Sequence, residues 1–346
     1  MLTLSDASYD TKELLKWGGL SIVALVIVVS GILFIKQTFF PTPPPKPTLA
    51  FGTLNPQLFP KNASDKKFTY VINTLSGALP SFPDQAKIYK MQINPPDLLG
   101  LTNAKQIAGG AGFTQGPNKI SETLYEWTKP NDTDLSSKIK IDTVNYNLNI
   151  SSNYLNSATI ISEQGQESPA QSISAAHGIL SELNSLPTDI DQTKTQTELL
   201  SIKSDGSLTT ATSLSSAQVI KVSLYQQNVD KLPIYYEKPD ASNINILVGA
   251  QDKILEVNYI HQNIIADGSA TYPLKTTDTA FEDLKQGYAY IASYDGNSSN
   301  ISINDVKLAY YVEGQPQSYL MPIMVFEGDN NFVAYVPAVK DEWINK

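Results

Sequence analysis

His177 and His261 are the chain's two imidazoles, so acid–base or metal chemistry would have to begin with them. His261 closes the alternating stretch ILEVNYIHQNI, with Glu256 on the same strand and Asp267 in the turn that follows, a set able to hold a metal ion or move a proton. His177 falls near the end of SPAQSISAAHGILSELNSL, whose spacing predicts an amphipathic helix that leaves it partly exposed. Neither lies in a ligand spacing such as H-E-x-x-H, and the plainer reading of both is structural. The sequence therefore predicts no catalytic residue, no metal site and no cofactor.

Absent residue types narrow the field further. There is no cysteine, which removes disulfides, thiolate ligands and a thiol nucleophile together. All 25 basic residues are lysines, so the planar fork that grips phosphates and reads base edges is missing, and the net charge is -9. Nucleic acid is excluded as a partner on these grounds. GGAGFTQG, residues 109 to 116, lacks the spacing of a phosphate-binding loop and reads as the glycine-rich end of a helix. A hydrolase using dispersed Asp and Glu residues has no fixed spacing to look for and stays open as the least favoured class.

The elements that would carry any site begin with nineteen uncharged residues from Trp17 to Ile35, between Lys16 and Lys36. At 1.5 Å per residue such a run can cross a hydrocarbon core of roughly 30 Å, which predicts a single transmembrane helix over 17–36. Trp17, Leu20, Ile22, Val26, Val29, Ile32 and Phe34 are its candidate anchor residues. Flanking lysines balance, but the acidic charge lies after the helix, so the reading places residues 1–16 in the cytoplasm and the C-terminal part outside the cell membrane. Seven prolines within residues 37–60 predict an extended linker over 37–61.

From Phe68 onward, period-two stretches alternate with a few helical ones. QAKIYKMQI, KISETLYEWTK and SKIKIDTVNYNLNI read as strands, and PDLLGLTNAKQIAGGAGF as a helix ended by glycine. A second helix opens at Ser168 and Pro169, and a third, TTDTAFEDLKQGYAYI, runs from a Thr/Asp cap to Gly287. The last strands are ISINDVKLAYYVEG, SYLMPIMVFEG and NFVAYVPAV, with Pro322 tolerable only at an edge or a strand start. Helix followed by antiparallel strands occurs twice, so the expected fold is α+β, with modules over 62–160 and 161–340 behind the membrane helix.

Several of the 18 tyrosines are paired. Neighbours on a strand face opposite sides, so one ring of each pair is expected in the core and one outward. Tyr235, Tyr236, Tyr310, Tyr311 and Tyr319 are accordingly candidates for an interaction surface, beside their plainer role as strand formers.

The C-terminal stretch resembles the closing region of YycH/YycI-type regulators and PepSY-like domains. Leu308, Tyr310 and Tyr311 match the first strand of that pattern, Pro322 and Phe326 the second, and Tyr335 and Val336 the third. AKQIAGGAGF, TLYEW and VNYNLNI look like a more divergent PepSY-like unit. The resemblance implies a non-enzymatic regulator that contacts a protein partner at the cell envelope. A binder of cell-wall glycan or a cell-surface adhesin is the alternative.

Overall fold

The computed structural model describes residues 17, 21–22, 25–31, 45–62, 66–130, 135–162 and 168–345. Two compact units divide the chain, Met1–Lys46 and Pro47–Lys346. In the first, Trp17, Ser21, Ile22 and residues 25–31 are helical, while Leu20, Ile32 and Phe34 lie outside the described residues. No helix among the described residues is long and apolar enough to cross a membrane. That overturns the single-pass membrane protein expected from the sequence, and the cell-membrane localisation built on it.

The α+β expectation is corrected as well, because the second unit is mostly β-sheet gathered into two large sheets. The first has nine antiparallel strands. β3 (Gln115–Lys119), β4 (Leu124–Thr128), β5 (Ser137–Asp142) and β6 (Leu148–Ser152) form a meander on one side. β12 (Ile254–Tyr259), β11 (Ile244–Gly249), β9 (Val219–Leu224), β7 (Gln196–Ile202) and β8 (Leu208–Thr210) continue it in that order. Two helices, α1 (Gly100–Gly110) and α3 (Pro169–Glu182), cover one face, where Trp127, Ile139, Ile150, Val222, Ile246 and Val257 form the core with Ala104, Ala108, Ala176 and Leu180. The short α2 (Ala158–Ser162) sits with Tyr154, Val219 and Leu255 in a separate apolar cluster.

The second sheet has eight strands, with β1 (Thr69–Ile72), β15 (Asn300–Tyr311), β16 (Tyr319–Gly328), β17 (Phe332–Pro337) and β14 (Tyr290–Ser293) in sequence across it. β10 (Ile234–Tyr235) joins the same edge of β15 that β1 occupies, both parallel to it. β2 (Gln85–Met91) pairs with β13 (Ile264–Pro273) and, over two residues, with β16. α4 (Thr277–Gln286) buries Ala280, Phe281 and Leu284 against Phe326, Phe332 and Val336. Its ends are set locally, by the Thr276 hydroxyl accepting from Thr279 N–H and by Gly287 at φ 85°.

Three sequence expectations differ from this arrangement. The 62–160 and 161–340 modules do not match the sheets, since β1 and β2 belong to the C-terminal sheet while β3–β6 complete the sheet of β7–β9, β11 and β12. The linker expected over 37–61 is part of the fold from Thr48 onward: Leu54 is fully buried, donates its N–H to Trp343 O at 2.8 Å and receives Asn345 N–H at 2.8 Å. Residues 37–44 lie outside the described residues. Pro322 stands inside a strand with neighbours on both sides. Its missing N–H is harmless because residue 322 directs its polar groups away from β15, to the place where β17 ends and Ala338 N–H reaches Pro322 O at 3.1 Å.

Leu54→Ala tests the stretch that reads as a linker. A spacer would tolerate it, whereas a core position is expected to lose about 2–5 kcal/mol in denaturant unfolding.

Candidate functional site

Where loops of the two sheets meet, they enclose a cleft of about 480 Å³. Half of its lining residues are Asn or Gln, and no lysine is among them. One wall is the β5–β6 hairpin, Asn145–Asn147, with Asn103, Gln106 and Ile107 from α1. The carboxylate of Asp142 shapes this hairpin by accepting the N–H groups of Val144 at 2.9 Å and Asn145 at 2.8 Å. It leaves Tyr146 at φ 57° with its hydroxyl accepting Asn103 Nδ2–H at 3.1 Å. Glu182, Asn184 and Ser185 come from the end of α3, which Asn184 terminates in the left-handed conformation at φ 48°.

The opposite wall comes from the second sheet: Gln92 and Asn94 after β2, and Val312, Glu313, Gln315 and Pro316 between β15 and β16. The segment Tyr259–Asn263, between β12 and β13, runs from one sheet to the other. Gln262 fastens the joint. Its Nε2 donates to Gln317 O at 2.8 Å and Gln92 O at 2.9 Å, and its Oε1 accepts Gln317 N–H at 3.0 Å. Gln317 is itself fully engaged, its Oε1 accepting Glu313 N–H at 2.6 Å and its Nε2 donating to Tyr311 O and Tyr319 O.

His261 lines this cleft, but the carboxylates expected to accompany it do not. Glu256 packs by Tyr154 on the far side of the sheet, and Asp267 lies on β13. Its partner is Asp189, which meets Nε2 at 2.8 Å, with the imidazole side chain only 6% exposed. Gln226 Nε2 donates to the other oxygen of Asp189 at 2.8 Å. Burial pushes the Asp189 carboxyl up, but hydrogen bonding to and charge from His261, with Gln226, outweigh it and hold the group below its ordinary value. No pattern around TDID announces this contact, which spans 72 residues and forms only through the fold. His177 lies half-buried on α3, with Nε2 enclosed and unpartnered among the described residues.

A nucleophile is not assembled here. The Ser185 hydroxyl donates to Leu183 O at 2.9 Å, and Glu313 accepts Leu58 N–H at 3.0 Å from the far side. Burial raises the Glu313 carboxyl above its ordinary range. No group of three or more His, Asp or Glu residues able to hold a metal occurs among the described residues.

The tyrosine surface expected from the sequence is interior. Tyr236, Tyr310 and Tyr311 are buried, Tyr235 and Tyr319 half-buried. Tyr310 and Tyr311 do face opposite sides, but both sides are covered. Tyr310 packs among Tyr89, Tyr225 and Leu320 and donates to Lys87 O at 2.8 Å. Tyr311 lies under Phe59 at a ring separation of 4.7 Å, in a nest with Tyr290 and Tyr335. Tyr235 donates to Glu327 at 3.1 Å, Tyr236 accepts Gln226 N–H at 3.1 Å, and Tyr319 stacks on Phe51 at 5.0 Å.

No family model matches the chain, and no curated protein matches it either. Among solved structures it is similar to an uncharacterized protein from Eubacterium rectale, at 10% identity and a TM-score of 0.35, covering 80% of this chain and 88% of that one. Likeness at that level defines neither a shared fold nor a function.

Two carboxyls bordering the cleft should titrate with opposite effects on stability. Asp189, whose value is lowered on folding, stabilises the fold above its unfolded value near pH 4 and loses that contribution as pH falls through its folded value. Asp189→Asn is therefore expected to lower Tm at about pH 7, with the gap to the parent closing in acid. Glu313, whose value is raised, is tolerated best below its unfolded value, and its contribution is lost as pH rises through its folded value. Glu313→Gln keeps an acceptor for Leu58 and is expected to raise Tm near neutral pH with no gain in acid. Thermal unfolding across that range checks both signs.

Proposed function

We propose that the protein is a non-enzymatic binding protein whose cleft holds a neutral, hydroxyl-rich ligand, a short glycan being the class that fits best. One observation carries this: a cleft of about 480 Å³ at the meeting of two sheets, half of its lining Asn and Gln and none of it lysine. Each amide offers a donor and an acceptor side by side, the pairing that sugar hydroxyls, themselves both donor and acceptor, require. Anionic ligands would meet Glu182 and Glu313 and no lysine there, while Tyr146 and Tyr259 supply apolar ring surface.

The resemblance to PepSY-like regulators is compatible with a binding role without turnover. Commitment of the Ser185 and Glu313 side chains to backbone groups supports binding over hydrolysis.

Gln106 lines the cleft from an exposed position on α1. Screening neutral and acidic oligosaccharides on an array, followed by calorimetry, is expected to find a neutral binder that Gln106→Ala weakens about five- to tenfold, the loss of one hydrogen bond. Binding confined to acidic sugars, or to none at millimolar concentration, would overturn the proposal.

A further inference from the structure

His261 lines the cleft with a ring that, when neutral, carries its hydrogen on one of two nitrogens, and the fold decides which. Nε2 meets Asp189 Oδ1 at 2.8 Å. Neither Asp189 nor Gln226 lines the cleft, so this end of the ring points behind the cleft wall. Asp189 is clamped there through its backbone: its carbonyl accepts Gln227 N–H at 2.7 Å, and the next residue, Ile190, bridges to Gln226. Gln226 Nε2 donates to the second carboxylate oxygen at 2.8 Å. A carboxyl held below its ordinary value offers lone pairs and no hydrogen, so both of these partners must donate. The hydrogen of the neutral imidazole therefore sits on Nε2.

Nδ1 is left as a bare acceptor. It has no partner among the described residues, yet it is not an enclosed atom, unlike Nε2 of His177. With the Nε2 end turned away, the space that Nδ1 reaches is the cleft that the residue borders. The backbone beneath the ring is held to the β5–β6 hairpin by His261 N–H donating to Asn147 Oδ1 at 3.3 Å, and Tyr259 lies tilted beside the ring at 6.1 Å.

We infer that Asp189 fixes His261 as a hydroxyl acceptor of the cleft, so that the ligand must place a free hydroxyl hydrogen at Nδ1. This rests on the reading of the cleft as a site for a neutral, hydroxyl-rich ligand, and it narrows that class. The amides around His261 present a donor beside each acceptor and can match a hydroxyl or an ether oxygen, whereas a bare imidazole nitrogen only accepts. A ligand with an ether or a deoxygenated carbon at that point leaves Nδ1 unpaired, and a site built around a hydrogen bond rejects the analogue that lacks it. His261 is thus the specificity-determining contact. Asp189 touches no ligand and is a positioning residue.

Long-range nitrogen–proton correlation of the histidine rings in the free protein, at about pH 8 and so above the ordinary histidine range, reads the tautomer. The ring that disappears in His261→Gln is expected to show its hydrogen on Nε2 and a bare Nδ1. In Asp189→Asn the Gln226 donor keeps the amide oxygen on its own side, so the new amide turns its N–H to the ring and the hydrogen is expected on Nδ1. Calorimetry then uses a neutral oligosaccharide retained from the array, with its mono-deoxy series. His261→Gln can still donate to Asp189 but has no acceptor at the Nδ1 position; it and Asp189→Asn are each expected to weaken binding about tenfold. One deoxy analogue should bind the parent about tenfold more weakly and His261→Gln with no further loss, and the full sugar should shift the Nδ1 resonance saturably. Should Asp189→Asn lose its fold, the parent spectrum and His261→Gln decide the matter. A hydrogen on Nδ1 in the free parent, or one still on Nε2 in folded Asp189→Asn, would overturn the inference. A sugar that leaves Nδ1 unmoved, or binds parent and His261→Gln alike, overturns it while sparing the reading of the cleft. A cleft that binds no neutral sugar overturns that reading, and the inference with it.

Discussion

One side chain, Gln262, gathers three of the hydrogen bonds that join the two sheets at the cleft. Gln262 stands on the segment that leaves the nine-stranded sheet, and its amide spans to the backbone of Gln317 and Gln92 in the eight-stranded one. Because Gln317 accepts and donates in return, while its own side chain ties together the ends of β15 and β16, the hairpin loop that forms one wall of the cleft is held from within. A buried amide left without partners costs about 1–3 kcal/mol, so this arrangement is stable only as a complete network. The cleft is a consequence of that joint, lined by the amides that the joint leaves over.

Covering both faces of the eight-stranded sheet is the second organising constraint. Tyr311, Tyr290 and Tyr335 on one face are sealed by Phe59 from the segment preceding β1, and Tyr310 on the other by the β2 layer. The interior carries phenols whose burial pushes their ionisation well above the ordinary value. These rings act as structure.

Local features were legible in the sequence and distant ones were not. Ser168, Pro169, Thr276 and Gly287 mark helix ends through interactions within four residues, and all are found in those roles. Period-two stretches such as QVIKVSL and NINILVG are strands because alternation is itself a local property. The tyrosine surface failed for the converse reason. Alternation tells which residues share a face but not whether something covers it, and the cover for Tyr311 lies some 250 residues away in a stretch whose prolines read as linker. The cleft was hidden similarly: HQN at 261–263, NYN at 145–147 and QPQ at 315–317 each look like turns, and their amides form one surface only when the turns converge. Likewise, apolarity alone predicted a membrane-crossing helix over 17–36, and no helix among the described residues has the length and apolarity to cross.

The central claim is that the amides of the cleft form a recognition surface for a neutral, hydroxyl-rich ligand. Its most direct test is the side-chain amide NMR spectrum during titration with neutral oligosaccharides, acidic sugars and inorganic phosphate in parallel. Saturable shifts are expected at Gln106, Asn145 and Asn184 with a neutral sugar alone, and Gln262 and Gln317 should move little because their hydrogen bonds are already internal. Shifts at those amides with phosphate or acidic sugars only, or none with any ligand, would contradict the account.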